Sequence, residues 1–263
     1  MKFLNELKCI PVALALSGAC NMANGQGVEA VAEVFASANI EGTLIVANAD
    51  GEHLHVFNED RSREEYSPAS TFKIPNTLIA LKADVVTSKA SPFTWDGEAK
   101  GRDAWNKNHT LESAFEVSCV WCYQEIARDV GSDRYVVDLA GLDYGNQEIG
   151  EKVDMFWLNG DLTISAAEQI EFLSALLNYE VPYSRDQVEL VKEIMLVEQT
   201  DDYALYAKAG WTGPGLHTGW YVGYVETGDD VRLFAMNMEM DKAELAGLRK
   251  GLTLRSLAAL GIL

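Results

Sequence analysis

This sequence predicts an α+β fold: an antiparallel β-sheet flanked by helices, with a helical subdomain inserted mid-chain. Strand-type segments sit near both ends of the chain, while helical periodicity fills the middle. The C-terminal strand runs are joined by short turns, which suits antiparallel neighbours. No Pro-, Gly- or Ser-rich linker divides the 263 residues, so both groups belong to one packed unit. The expected organisation is a leader over 1–19 and a single domain over 20–263. Its sheet part covers about 28–65 and 200–263, and its helical part about 66–199. Hydrophobic residues are 48% and charged residues 23%, globular values that permit a sizeable core.

The first residues, MKFLNELKCIPVALALSGAC, have the layout of an export signal: Lys2 and Lys8, an apolar run from Ile10 to Leu16, and a small-x-small cut at Ser17-Gly18-Ala19. Glu6 and Pro11 are atypical there. The run is too short to span a bilayer, so the mature form is expected to be periplasmic or secreted with no integral membrane span. Cys20 follows the cut and raises a lipid anchor, but Ser17 stands where lipoprotein signals carry a large aliphatic residue.

Residues 42–60 read as a β-hairpin, with Asp50-Gly51 as a type I′ turn signal. A tight turn over Ser70–Lys73 then precedes a helix resuming near Pro75. Thr110 can cap a helix running to about Val130, and Ser132 starts another ending near Gly141. Ser165 and Ser184 open capping boxes before two more helices. From Ala204 the pattern changes to three strands, ALYAKAGW, GWYVGYVE and VRLFAMNM, broken at Pro214-Gly215 and Gly228-Asp229. A last helix spans about Lys242 to Leu260.

Charge excludes several functions. Lys and Arg number 21 against 40 Asp and Glu, a net −19. Such a surface repels phosphate backbones and anionic membranes, so no nucleic-acid partner is expected. Cys119 and Cys122 form a C-x-x-C in what reads as mid-helix. Two buried apolar thiols are expected there in preference to redox or metal chemistry. The four His provide no HExxH or HxxxH spacing, so no metal is expected, and without a Gly-rich phosphate loop no nucleotide either.

Ser70-Thr71-Phe72-Lys73 places a hydroxyl and an amine one helical turn apart. A serine needs a neighbouring base to become a nucleophile, and a desolvated lysine can be one. Alone, Ser-x-x-Lys is a weak signal whose bland reading is a helix-turn Ser and a snorkelling Lys. Further motifs follow in order: WDG at 95–97, Ser118-Cys119-Val120, Tyr144-Gly145-Asn146, FWLNG with Trp157, and Lys208-Ala209-Gly210. Together with SPASTFKIPNTLIAL they resemble the class D serine β-lactamases from about Tyr66 to Met240, with a weaker tail at Leu248-Arg249-Lys250.

That resemblance implies a hydrolase acting on β-lactams through an acyl-enzyme on Ser70. It implies that Lys73 captures carbon dioxide as a carbamate, the only cofactor-like group expected, and serves as general base. Trp157 would steady the carbamate, although an ordinary core tryptophan is its alternative. Val120, with Leu158, would form an apolar wall beside Lys73. Ser118 would relay a proton to the leaving nitrogen, held by Lys208. The backbone N–H groups of Ser70 and Trp211 would form the oxyanion hole, Gly210 would let substrate lie along the strand, and Arg249 would bind its carboxylate. Tyr144 and Asn146 match the family but suit turn formation equally. Penicillin-binding transpeptidases or carboxypeptidases and β-lactam sensor domains share Ser-x-x-Lys and remain the alternatives; Trp157 favours the hydrolase, and a sensor would need a transmembrane relay. Ala209 departs from the usual Thr or Ser. A hydrogen bond to a charged group is worth roughly 1.5–3 kcal/mol, so affinity falls ~10–150-fold unless Thr212 or Thr218 substitutes.

Overall fold

The computed structural model describes residues 14–263 apart from positions 214 and 229, with side chains from residue 25 onward. Residues 1–13 of the expected leader, the side chains at its cut and at Cys20, and Pro214 of the expected turn lie outside the described residues.

Strands β1 (Gly42–Ala47), β2 (His53–Phe57), β5 (Leu196–Gln199), β6 (Ala204–Trp211), β7 (Thr218–Thr227) and β8 (Asp230–Glu239) form a six-stranded antiparallel sheet. Its order is β2-β1-β8-β7-β6-β5. The N-terminal hairpin therefore joins the C-terminal meander through β1 and β8, with Gly42 opposite Met238 and Ala47 opposite Leu233. Both faces are covered. Ile45, Trp220, Val222, Tyr224 and Ala235 pack under the helical subdomain, whereas Leu44, Val46, Tyr221, Phe234 and Met236 meet a second helical layer. This two-sided burial explains why β1 and β7 read as nearly continuous apolar runs.

The second layer is made of α1 (Leu14–Ala38) and α10 (Ala246–Ala259). The sequence reading placed no helix before the first strand, but Val31 and Phe35 of α1 are buried against the sheet at i, i+4 spacing. On the other face lie α2 (Glu59–Arg63), α3 (Lys73–Lys82), α4 (Leu111–Glu116), α5 (Val120–Val130), α6 (Ser132–Leu142), α7 (Phe156–Asn159), α8 (Ala166–Leu177) and α9 (Arg185–Met195). Among them sits a two-stranded ribbon, β3 (Pro92–Phe93) with β4 (His109–Thr110). Both expected capping boxes form, Ser165 with Glu168 and Ser184 with Gln187.

Three expectations are corrected. The helix from Thr110 is two helices, broken at Val117–Cys119 where Ser118 has φ 55°. The hairpin is closed by a five-residue loop, Asn48–Glu52, in place of a two-residue turn. The Asn48 side chain accepts from Glu52 N–H at 2.9 Å, and a bulge at Val46/Ala47 precedes the loop. Helix α9 ends at Met195, so the sheet begins again at Leu196, inside the stretch expected to be helical. The turn expected at Gly228-Asp229 falls between the paired residues Thr227 and Asp230, with Gly228 at φ 60° and Asp229 outside the described residues.

Candidate active site

Ser70 sits in a 3-10 turn, Ala69–Phe72, that runs directly into α3. Pro75 falls inside the first turn of that helix, where its missing N–H leaves no bond unmade. Lys73 is one turn beyond Ser70, and its Nζ donates to Ser70 Oγ at 3.2 Å. The amine is fully buried, 4.7 Å above the ring of Tyr123, and no carboxylate pairs with it among the described residues. Burial, followed by repulsion from Lys208, pushes Lys73 well below the ordinary lysine range. A neutral amine beside a buried hydroxyl can take a proton or react as a nucleophile.

Ser118 arrives from the break between α4 and α5. Its N–H donates to Phe115 O at 3.2 Å, and Cys119 N–H donates to Ala114 O at 2.8 Å. This is the Schellman closure of α4, with Ser118 in the left-handed position usually given to glycine. The same Cys119 then caps α5. Facing it, Lys208 of β6 donates to Ser118 Oγ at 2.5 Å and to Ala209 O at 3.3 Å. Burial and the charges of Arg249 and Arg102 lower Lys208 to about 7.

Trp157 lies on α7, buried among aromatics. Its ring stacks on Phe72 at 5.6 Å and meets Phe156 edge-on at 5.0 Å. Its carbonyl accepts from Ser67 Oγ at 2.9 Å, which ties α7 to the segment before Ser70. The indole Nε1 is buried with no hydrogen-bond partner. A donor left in that condition is costly, and it suits an acceptor brought into the same space.

A cleft of about 290 Å³ opens onto Ser70 and Ser118. Val120 and Leu158 give it aliphatic lining, and Ala209, Gly210, Trp211 and Arg249 line it from the sheet side. Lys73, Trp157 and Lys208 are buried and not on its surface. The Arg249 guanidinium donates to Gly210 O and, at 3.1 Å, to Ala246 O. Burial, with Arg102 nearby, lowers it to about 10. Strand β5 stops opposite Tyr206, so the cleft lies where β6 runs on without that neighbour.

Residues 35–255 match the penicillin-binding-protein transpeptidase domain family. The chain is 39% identical to β-lactamase OXA-48 of Klebsiella pneumoniae over 251 residues, 91% of this chain and 95% of that relative. It is 37% identical to the probable β-lactamase YbxI of Bacillus subtilis over 199 residues, 76% of this chain and 74% of that one. The crystal structure of a class D β-lactamase YbXI from Nostoc superposes with TM-score 0.86 at 36% identity, covering 89% of this chain and 99% of the other. The chain belongs to the class D β-lactamases.

In this class D β-lactamase the surroundings of several of these residues show further work for them, and one expectation, the free thiols, is corrected. Gly210 is needed for packing against the nucleophile turn: a Cβ there would stand 2.9 Å from Pro68 O and 3.2 Å from Thr71 Cγ2. Thr212 and Thr218, the expected stand-ins for the hydroxyl missing at Ala209, are both engaged within the β6–β7 loop. They close the β6–β7 loop on each other, Thr218 N–H donating to Thr212 Oγ1 at 2.9 Å and Thr218 Oγ1 to Leu216 O at 3.1 Å. Tyr144 and Asn146 are framework: Gln169 joins the Tyr144 hydroxyl to Thr71, and Asn146 bonds Asp161 O and Thr163 N–H. Cys119 and Cys122 are not free thiols but a disulfide, with Cα atoms 5.5 Å apart.

Sequence reasoning missed Gly101, Arg102 and Trp105, which also line the cleft. They lie between WDG at 95–97 and Ser118, Gly101 and Arg102 in a loop and Trp105 in the 3-10 turn Asp103–Trp105, but no motif of their own marks them. Arg102 joins Lys208 and Arg249 in a cationic group that, among the described residues, no carboxylate neutralises. Among the described residues no cluster of His, Cys, Asp or Glu could hold a metal ion, and no helix is long and apolar enough to cross a membrane.

Proposed function

We propose that this enzyme hydrolyses β-lactams through an acyl-enzyme on Ser70, with Lys73 carrying carbon dioxide as an N-carboxylate. The observation that carries this reading is the pair formed by Lys73, buried without a carboxylate partner among the described residues and held well below the ordinary lysine range, and an unpartnered buried Trp157 Nε1. Only an unprotonated amine adds to carbon dioxide, and only an acceptor relieves that indole donor. Trp157 would hold the group, with Val120 and Leu158 limiting water. When bound, the carboxylate supplies an anionic oxygen base next to Ser70.

Ser70 Oγ gives up its proton as it attacks the lactam carbonyl carbon. The carbonyl oxygen gains charge facing the backbone N–H groups of Ser70 and Trp211. As the carbon–nitrogen bond breaks, Ser118 Oγ delivers a proton to the nitrogen, and Lys208 holds that hydroxyl in place. Arg249, Lys208 and Arg102 supply the positive field an anionic β-lactam needs within a chain of net −19. Water then cleaves the ester and frees Ser70.

Export is part of the same reading: residues 1–19 have a leader's layout, and the Cys119–Cys122 bridge belongs to an oxidising compartment. A periplasmic or secreted product cut near Ala19 is expected from N-terminal sequencing of the extracytoplasmic fraction.

The test uses a chromogenic cephalosporin with purified protein, expected to turn over continuously; one equivalent opened and then arrest would support an acyl-trapping sensor. Trp157→Phe should lose about tenfold or more of turnover in bicarbonate-depleted buffer and recover most of it when bicarbonate is restored. A variant equally active in both buffers would show Lys73 acting as a plain amine.

A further inference from the structure

We propose that the Cys119–Cys122 disulfide is a positioning device for Ser118, fixing the hydroxyl that faces Lys208; this rests on the acyl-enzyme reading above. The bridge spans the first turn of α5, and Cys119 is at once the residue that closes α4 and the one that caps α5. Ser118 is therefore held between two helix ends by the residue that carries the bridge.

Three features say why the segment needs a tie. Ser118 has φ 55°, a conformation a residue with a Cβ holds only when its surroundings impose it. The linker between the helices is only Val117–Cys119, and the bridge ties its last residue to the first turn of α5. Val120, which lines the cleft, lies inside the ring that the bridge closes, and Tyr123, whose ring faces Lys73, follows it directly. The sulfurs are fully buried in the core of the helical subdomain, which excludes the exposed thiolate chemistry of a redox C-x-x-C.

Opening the bridge is a two-electron reduction: a dithiol reductant gives two electrons and two protons, Cys119 and Cys122 become thiols, and the reductant leaves as its own disulfide. With the tie gone, the Ser118 backbone can relax out of the left-handed region, and its Oγ leaves the proton path without disturbing Arg249, which is anchored from α10 and β6.

The experiment measures acylation and substrate dissociation separately, by rapid mixing with a slow substrate, for wild type and for Cys119→Ala/Cys122→Ala. Loss of a relay by displacement is expected to slow acylation about tenfold to a hundredfold while the substrate dissociation constant stays put. Val191→Ala, in the core of α9 away from the cleft, supplies the comparison: it lowers Tm but leaves acylation unchanged. If the cysteine variant does not fold, wild-type protein before and after treatment with a dithiol reductant gives the same comparison, with free thiols counted. Unaltered acylation in the opened protein overturns the proposal, and so does a loss that saturating bicarbonate restores, since the bridge would then act through Lys73. A wild type that never acylates defeats the underlying reading instead.

Discussion

Lys208 is held at about 7 by burial and by two arginines, so near neutrality its charge is divided between two protonation states. The protonated form attracts a substrate carboxylate and the neutral form does not. KM for a carboxylated β-lactam should therefore rise, on the order of tenfold, as pH climbs through about 7. Lys208→Arg should give a flat KM profile, since guanidinium stays charged. Ala209 offers a second measurement at this scale. Because both nearby threonines spend their hydroxyls closing a loop, Ala209→Thr should lower KM for the same substrates by about tenfold, read from steady-state kinetics. An unchanged KM would mean that Arg249 alone saturates the carboxylate.

At the scale of elements, strand β6 and the nucleophile turn interlock at Gly210. A methyl group there cannot be accommodated by a flexible side chain, because its first contact is the backbone oxygen of Pro68. Gly210→Ala should cost about 1–3 kcal/mol of stability in urea unfolding and lower kcat together with it, since the strand and Ser70 are pushed apart. The sequence showed Gly210 as a site residue but could not show which neighbour required it. That difference runs through the comparison of sequence and structure. Capping boxes at Ser165 and Ser184, and the C-terminal strands, were legible because local chemistry specifies them. The break at Ser118 was not, since no glycine or proline marks it and the left-handed turn is imposed by helix closure and the bridge. Leu196, the first residue of β5, reads as the end of the α9 run because it extends that apolar pattern, and only pairing with β6 settles it as strand. Ser70, Lys73 and Trp157 stand out in the sequence through ordered motifs, whereas Arg102, in a loop, and Trp105, in a short 3-10 turn, carry no local signature.

For the whole molecule, the buried Lys208 opposes stability in a way that pH reveals. It releases its proton at lower pH folded than unfolded. Between about 7 for Lys208 and the ordinary lysine value of 10.5, the unfolded chain binds more protons, so raising pH favours the folded state. Tyr123 and Tyr144 act in the opposite sense: burial holds them above the ordinary 10.0, and their contribution is lost as pH passes that value. The urea midpoint should thus climb from pH 7 to about 9.5 and fall beyond about 10, with Lys208→Met flattening the climb.

The contact between Gly210 and Pro68 also divides the cavity into a rigid floor and an adaptable rim. Moving either side of that contact drags the other, so variation under selection for new substrates cannot accumulate there without losing the reaction itself. Gly101 and Arg102 border the same space from the exposed side, while Trp105 is pinned, its indole donating to Val117 O at 3.0 Å and its carbonyl accepting from the Trp121 indole at 3.0 Å, so freedom to diversify belongs to those first two positions.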